Sequence, residues 1–227
     1  MFTFTEEEAK ARIAKYIARE FDEMSEEHDL FVNLGVGIPT MVADYTASKR
    51  VFLQAENGML GVGPVADEAH IDPLLINAGR AKVTETTGCS YMDSADSFGM
   101  IRGGHVDATV IGAFEVDEEG NVANWIIPNG KMLGVGGAMD LVSGAKKVYI
   151  AMQHVSKKGK SKLVHACSLP ITGYSAVDTV VTEYAVFKFE NGQMVLKAKA
   201  KEISLDELKG ITEAKFVIQQ NIIDMID

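Results

Sequence analysis

Apolar and polar positions along this chain follow two different periods. Ala9, Ile13, Ile17, Phe21 and Met24 recur at the spacing of one helical face. Thr5, with Glu8 three residues later, makes a capping box ahead of them, so a first helix is predicted from about residue 6 to 25. LFVNL (30–34) reads as a buried strand ending at glycine, and Pro39 is placed to open a helix through about Ala47. VFLQ (51–54), KVTE (82–85), ATVIGAF (108–114) and KKVYIAM (146–152) read as further strands. ADSFGMIRGG (95–104) reads as a short helix ended by glycines. Thr179 to Phe189, then Asn191-Gly192, then Met194 to Ala198 predict a hairpin. Ser204 and Glu207 form a last capping box over LDELKGI.

Several of these strands are apolar throughout rather than alternating, as in sheets covered on both sides. The fold class predicted is therefore α/β: an open, mostly parallel sheet with helices on both faces and a C-terminal hairpin. No linker, internal repeat or low-complexity tract divides the 227 residues, and a single domain over 1–227 is expected.

Composition narrows the partners. Apolar residues make up 47% of the chain, enough for a real core, and the net charge is −10. Beyond Lys157-Lys158-Gly159-Lys160, a solvated loop, no basic run stands out. That argues against nucleic acid or an anionic membrane as a partner, while leaving room for a small anionic ligand. The acidic N-terminus lacks the apolar segment of a signal peptide, and no run approaches the roughly 20 apolar residues of a membrane span. Cys89 and Cys167 belong to no paired motif and read as free thiols in a reducing compartment. A cytoplasmic protein is expected.

Glycines gather where strands end: GVG (35–37), GMLGVG (58–63), RGG (102–104) and GVGG (134–137). Such clusters suit a ligand site built from several loops at the carboxyl edge of a sheet. A dinucleotide fingerprint fails, because Thr40 and Met139 stand where the third glycine should be. There is no Walker A pattern and no GxSxG elbow. His28, His70, His105, His154 and His165 lack metal-ligand spacing, so no metal is expected. What remains is a lone carboxylate, Glu56, leading into Asn57-Gly58. For most glutamates before Asn-Gly an exposed turn is the ordinary explanation. Here the preceding run is a buried type of strand, and Met59 to Pro64 does not read as a returning one. Glu56 is thus expected at a strand's carboxyl end rather than on a hairpin tip. A partly desolvated carboxylate can attack an activated acyl group, and backbone N–H groups of Gly134 to Gly137 could hold the resulting oxyanion.

These stretches resemble the B (β) subunit of family I coenzyme A transferases, of the 3-oxoacid, acetate or butyrate–acetoacetate type. The motifs are NLGVGIP (33–39), AENGMLGVGP (55–64), LINAGR (75–80), SFGMIRGGHVD (97–107), NVANWIIPNGKMLGVGGAMDLVSGAKKV (121–148) and CSLPITG (167–173). Together they span nearly the whole chain. The resemblance implies that Glu56 is the catalytic glutamate, with Ala55 replacing the family's serine before it. It implies an oxyanion donor at the backbone of Gly136 or, by spacing, Gly137. Asn33, Gly35, Gly37, Asn57 and Gly58 fall in the motifs expected to meet substrate and CoA, Asn33 at the thioester arm. Arg80 stands where relatives carry lysine, keeping charge but changing reach. The implied reaction moves CoA between short-chain carboxylic acids by a ping-pong route, with coenzyme A as substrate and no cofactor. The implied partner is a separately encoded A (α) subunit, in a heterodimer or heterotetramer. Acyl-CoA hydrolysis on the same scaffold and a non-catalytic assembly role are the alternatives, with a sugar-phosphate isomerase of like architecture more remote.

Other marked residues receive structural readings. Trp125 is expected in packing, His105 as a hydrogen-bonded structural histidine, and the cysteines as small buried residues. Asp140 is expected to cap the helix after GVGGAM.

Overall fold

The computed structural model describes residues 3–130, 132 and 134–225. Helix α1 (Glu6–Met24) starts at its capping box: the Glu8 N–H donates to Thr5 Oγ1 at 3.2 Å, and the Thr5 N–H donates to Glu8 Oε2 at 2.8 Å. Next come β1 (Leu30–Leu34), α2 (Ile38–Tyr45), β2 (Val51–Ala55), β3 (Met59–Val65) and β4 (Val83–Tyr91). Then follow α3 (Ser94–Arg102), β5 (Ala108–Ile111), β6 (Glu115–Asp117), β7 (Val122–Ala123), α4 (Ala138–Gly144) and β8 (Val148–Ala151). The described chain closes with β9 (Leu163–Val164), β10 (Thr179–Val181), β11 (Ala185–Glu190), β12 (Gln193–Lys199), α5 (Leu205–Ile211) and β13 (Val217–Asp224).

Ten strands form one sheet in the order β13-β12-β11-β10-β8-β5-β1-β2-β3-β4. The middle, β10-β8-β5-β1-β2, is parallel, as is the β12–β13 pair. Antiparallel strands flank the middle: β3 and β4 on one side, β11 and β12 on the other. Side chains of the central strands alternate between two apolar layers. Val32, Val110, Tyr149 and Val181 pack under α1 and α2. Ile111, Val148, Ile150 and Val180 face the opposite layer, with Val142 of α4, Leu208 of α5 and a small sheet ordered β7-β6-β9. The α/β class, the mixed but mostly parallel sheet and the C-terminal hairpin agree with the sequence reading.

Four expectations need correcting. Met59–Val65 is a returning strand after all: β3 pairs antiparallel with β2 through Gln54↔Leu60 and Ala55↔Met59. Glycines hid it, because they are there to let β4 approach. A Cβ on Gly63 would meet Thr84 Oγ1 at 2.6 Å, and one on Gly61 would meet Cys89 Cα at 2.9 Å. Thr179 to Phe189 is two strands, not one. Thr182 Oγ1 accepts from the N–H groups of Tyr184 and Ala185, and this side-chain turn reverses the chain between β10 and β11. The foreseen hairpin is β11–β12, with Asn191 at φ +52° and Gly192 at φ +73° as a two-residue turn. Gly137, not Asp140, is the N-cap of α4; Asp140 sits in its first turn and pairs with Arg102 of α3 at 2.7 Å. His105 is exposed, lies against Gly103 and makes no side-chain hydrogen bond among the described residues. Trp125 is half-buried.

Candidate active site

The parallel strands β1, β2, β5 and β8 all end at one edge of the sheet, where loop-built sites form in such folds. Glu56 lies immediately after β2, in a tight turn: the Gly58 N–H donates to the Ala55 carbonyl at 3.0 Å, and the Met92 N–H donates to the Gly58 carbonyl at 2.9 Å. Gly58 has φ +126°, and a Cβ there would overlap the Met92 carbonyl oxygen. Only glycine closes this turn without strain. The turn holds Glu56 half-buried and Asn57 exposed. Glu56 is therefore both at a parallel strand's carboxyl end and at the tip of a hairpin.

Its carboxylate forms no hydrogen bond or ion pair with any described residue, so its lone pairs are uncommitted. The sequence-distant GVGG loop lies beside it. A Cβ built on Gly137 would stand 3.5 Å from Glu56 Cγ and 3.1 Å from two ring carbons of Phe98. Nucleophile candidate and oxyanion-loop candidate are thus neighbours, separated by little more than the space a methyl group would fill, with the Phe98 ring beside the same glycine. Neither the Gly136 nor the Gly137 N–H is donated to another described group, although Gly137 O accepts from the Leu141 N–H at 3.0 Å. Gly136 is exposed at φ +50°.

Asn33 is wholly buried, at 0% exposure, and donates through Nδ2 to the Gln54 carbonyl and to Gln54 Oε1. It presents no atom to the open side of the site and belongs to its support. Gly35 donates to the Val110 carbonyl at 2.9 Å, and its missing Cβ would be 3.1 Å from that oxygen. Gly37 is exposed, at φ +93°, and its N–H donates to Thr40 Oγ1. Sequence reading did not single out Phe98, which the fold sets beside Gly137, or the buried pair of Gln54 and Ser97.

A cavity of about 850 Å³ opens on the other face of β2, bordered by Gly37, Thr40, Ala55, Val62, Asn77 and Gly79. Glu56 does not line it. Arg80, beside it in sequence, is exposed at φ +63°, and its guanidinium takes no partner among the described residues. The described residues hold no cluster of three His, Cys, Asp or Glu side chains placed to bind a metal. None of their helices is long and apolar enough to cross a membrane.

The model of one family, Coenzyme A transferase, matches residues 12–210. The chain belongs to the coenzyme A transferase family. Among its relatives, the B subunit of the probable succinyl-CoA:3-ketoacid coenzyme A transferase of Bacillus subtilis (strain 168) is 45% identical over 218 residues, 96% of this chain and 99% of that protein. The beta subunit of the acetate CoA-transferase of Escherichia coli (strain K12) is 46% identical over 216 residues, 95% of this chain and 96% of that protein. A solved acyl-CoA transferase from Escherichia coli O157:H7, as apoenzyme, superposes with a TM-score of 0.76 at 22% identity, over 100% of this chain and 45% of that one. That likeness speaks for the fold.

Within this coenzyme A transferase chain, the departure at Ala55 has a local account. Ala55 is 5% exposed and packs with Met59, Val62 and Val83 on the face opposite Glu56. A hydroxyl there would point away from the carboxylate. Burial pushes the Cys167 thiol up to about 12, and burial also raises that of Cys89.

Proposed function

We propose that this chain is the B subunit of a short-chain acyl-CoA:carboxylate CoA transferase, with Glu56 as its nucleophile. The observation that carries the reading is the closeness of Glu56 to Gly137, which sets a carboxylate with no partner among the described residues beside a loop whose Gly136 and Gly137 N–H groups are donated to no described group. A Glu56 oxygen attacks the carbonyl carbon of an acyl-CoA, the C–S bond breaks, and CoA leaves as thiolate beside a mixed anhydride. The Gly137 N–H, with that of Gly136, stabilises the developing oxyanion. The thiolate then attacks the glutamyl carbonyl, its C–O bond to the donor acid breaks, and a glutamyl-CoA thioester remains. An acceptor carboxylate attacks that thioester, and the two steps run in reverse to release the new acyl-CoA and restore Glu56. One thioester replaces another, so the exchange is near thermoneutral and calls for no ATP, metal or cofactor.

Succinate, 3-ketoacids and acetate are the acids that the relatives' activities favour as substrates, with butyrate close to these in size. Each of the two bacterial relatives is one subunit of its enzyme, which supports a separate A subunit as partner, completing a heterodimer or heterotetramer. The exposed Gly37, Asn57 and Arg80 are available to substrate or to that partner. Remote binding of the CoA moiety lowers the barrier at the reacting bond, and the exposed Arg80, next in sequence to Gly79 of the 850 Å³ cavity, is a cation suited to the CoA phosphates.

The test is turnover of the assembled enzyme with and without an acceptor acid. Transfer predicts new acyl-CoA that depends on the acceptor, and loss of at least about 1,000-fold in Glu56→Ala. Acceptor-independent release of free CoA would assign hydrolysis instead, and undiminished turnover by Glu56→Ala would remove Glu56 from the chemistry.

A further inference from the structure

We propose that Gln54 is a positioning residue for Glu56, acting through Ser97, an inference that rests on Glu56 being the nucleophile. VFLQA is an apolar strand with one polar residue, and that residue is buried, at 3% exposure. Gln54 is two positions before Glu56, so the strand sends both side chains to the same face. Its Nε2 donates to Ser97 Oγ of α3 at 2.8 Å, and its Oε1 accepts from Asn33 Nδ2 at 2.9 Å. Ser97 and Asn33 are each 0% exposed. The two bonds orient one another. The Gln54 backbone carbonyl can only accept, so Asn33 must present its amide nitrogen there, which turns Oε1 of Gln54 toward Asn33 and Nε2 toward the Ser97 hydroxyl. That leaves Asn33 Oδ1 buried with no partner, a cost consistent with the amide's orientation being set by Gln54.

Ser97 is followed by Phe98, whose ring lies against Gly137. Helix α3 therefore bonds to the nucleophile's strand through one residue and abuts the oxyanion loop through the next. It is also fixed to α4, which follows that loop. Arg102 pairs with Asp140, and Gly144 lies so near Ile101 that a Cβ would overlap its carbonyl oxygen. Losing the Ser97–Gln54 bond frees β2's end from this frame while the loop stays held. Attack geometry is sensitive to displacements of about 1 Å, which cost up to roughly 100-fold in rate. The exposed Arg80, offered to the CoA phosphates, is left in place.

The experiment measures CoA capture on Glu56 by rapid quench of the assembled enzyme, together with KM for the acyl-CoA. Gln54→Met and Ser97→Ala are compared with Thr109→Val. Thr109 stands beside Asn33 in the sheet register, is equally buried, and its hydroxyl has no partner. The expected result is a fall of about 10- to 100-fold in capture rate for Gln54→Met and at least about 5-fold for Ser97→Ala, with KM within about 2-fold. Thr109→Val should match wild type. The double variant should be no slower than Gln54→Met, since both remove the same bond to α3. Should Gln54→Met not fold, Ser97→Ala decides, because it spares the Asn33 pair. Wild-type capture rates in the folded variants would overturn the positioning role alone. Absence of CoA on Glu56 in the wild-type enzyme would instead overturn the assignment of the nucleophile.

Discussion

Gly137 and Gly58 are required for different reasons, and their substitutions separate the two. Gly137 has φ −88°, a conformation open to any residue, so alanine there strains no backbone. Its methyl would press on the Phe98 ring and fill the space beside Glu56 Cγ. Gly137→Ala should lose at least about 10-fold in kcat with a stability change under about 1 kcal/mol. Adding Phe98→Leu should return part of the rate by giving the methyl room. Equal rates in the single and double variants would contradict that contact. Gly58→Ala must both adopt φ +126° and clear the Met92 carbonyl, so it should cost roughly 2 kcal/mol or more in urea unfolding. At this scale the sequence was informative where a motif is compact. The Glu-Asn-Gly turn and the GVGG loop announced themselves. Gln54 was visible only as a polar residue inside an apolar run, and its partner Ser97 looked like an ordinary helix residue. Nothing in a linear pattern says that residues 43 apart share a hydrogen bond.

Helices and central strands followed periodicity and caps closely, because both are local. β3 escaped because its glycines and Pro64 erase the alternation that marks a strand. Its register against β4 slips twice, between Leu60 and Val62 and between Val62 and Val65, which only the paired partner makes sense of. The strands β6, β7 and β9 are two or three residues long and carry too few positions to show a period. The α3–α4 contact yields a prediction at this scale. Gly144→Ala inserts a methyl where Ile101 O stands, so the helices must separate. The expected loss is about 2 kcal/mol or more of unfolding free energy, together with slower turnover. Full stability in that variant would show that the helices do not depend on this close approach.

Acidity and a buried imidazole shape the behaviour of the whole molecule. His154 is wholly buried, and burial holds its pKa down near 3. The neutral ring satisfies two hydroxyls, Thr182 Oγ1 at Nδ1 and Thr212 Oγ1 at Nε2. The folded pKa lies below the unfolded one, near 6.5, so the unfolded chain gains the proton first as pH falls. Stability from the neutral ring is complete above about pH 6.5 and lost progressively toward pH 3. By about pH 5 the loss is roughly 2 kcal/mol, at about 1.4 kcal/mol per pH unit. Urea unfolding near pH 7.5 and about pH 5 should show this extra loss in wild type and its absence in His154→Gln. Identical pH dependence in the two proteins would contradict it.

The proposed function turns on one chemical event, the transfer of CoA onto Glu56. The most direct measurement is mass spectrometry of the assembled enzyme after incubation with acyl-CoA alone, without an acceptor acid. The account predicts one CoA added to this chain with release of the donor acid, the adduct mapping by peptide to Glu56 and disappearing when an acceptor acid is supplied. An adduct on another residue, or free CoA and free acid with no adduct at all, would contradict it.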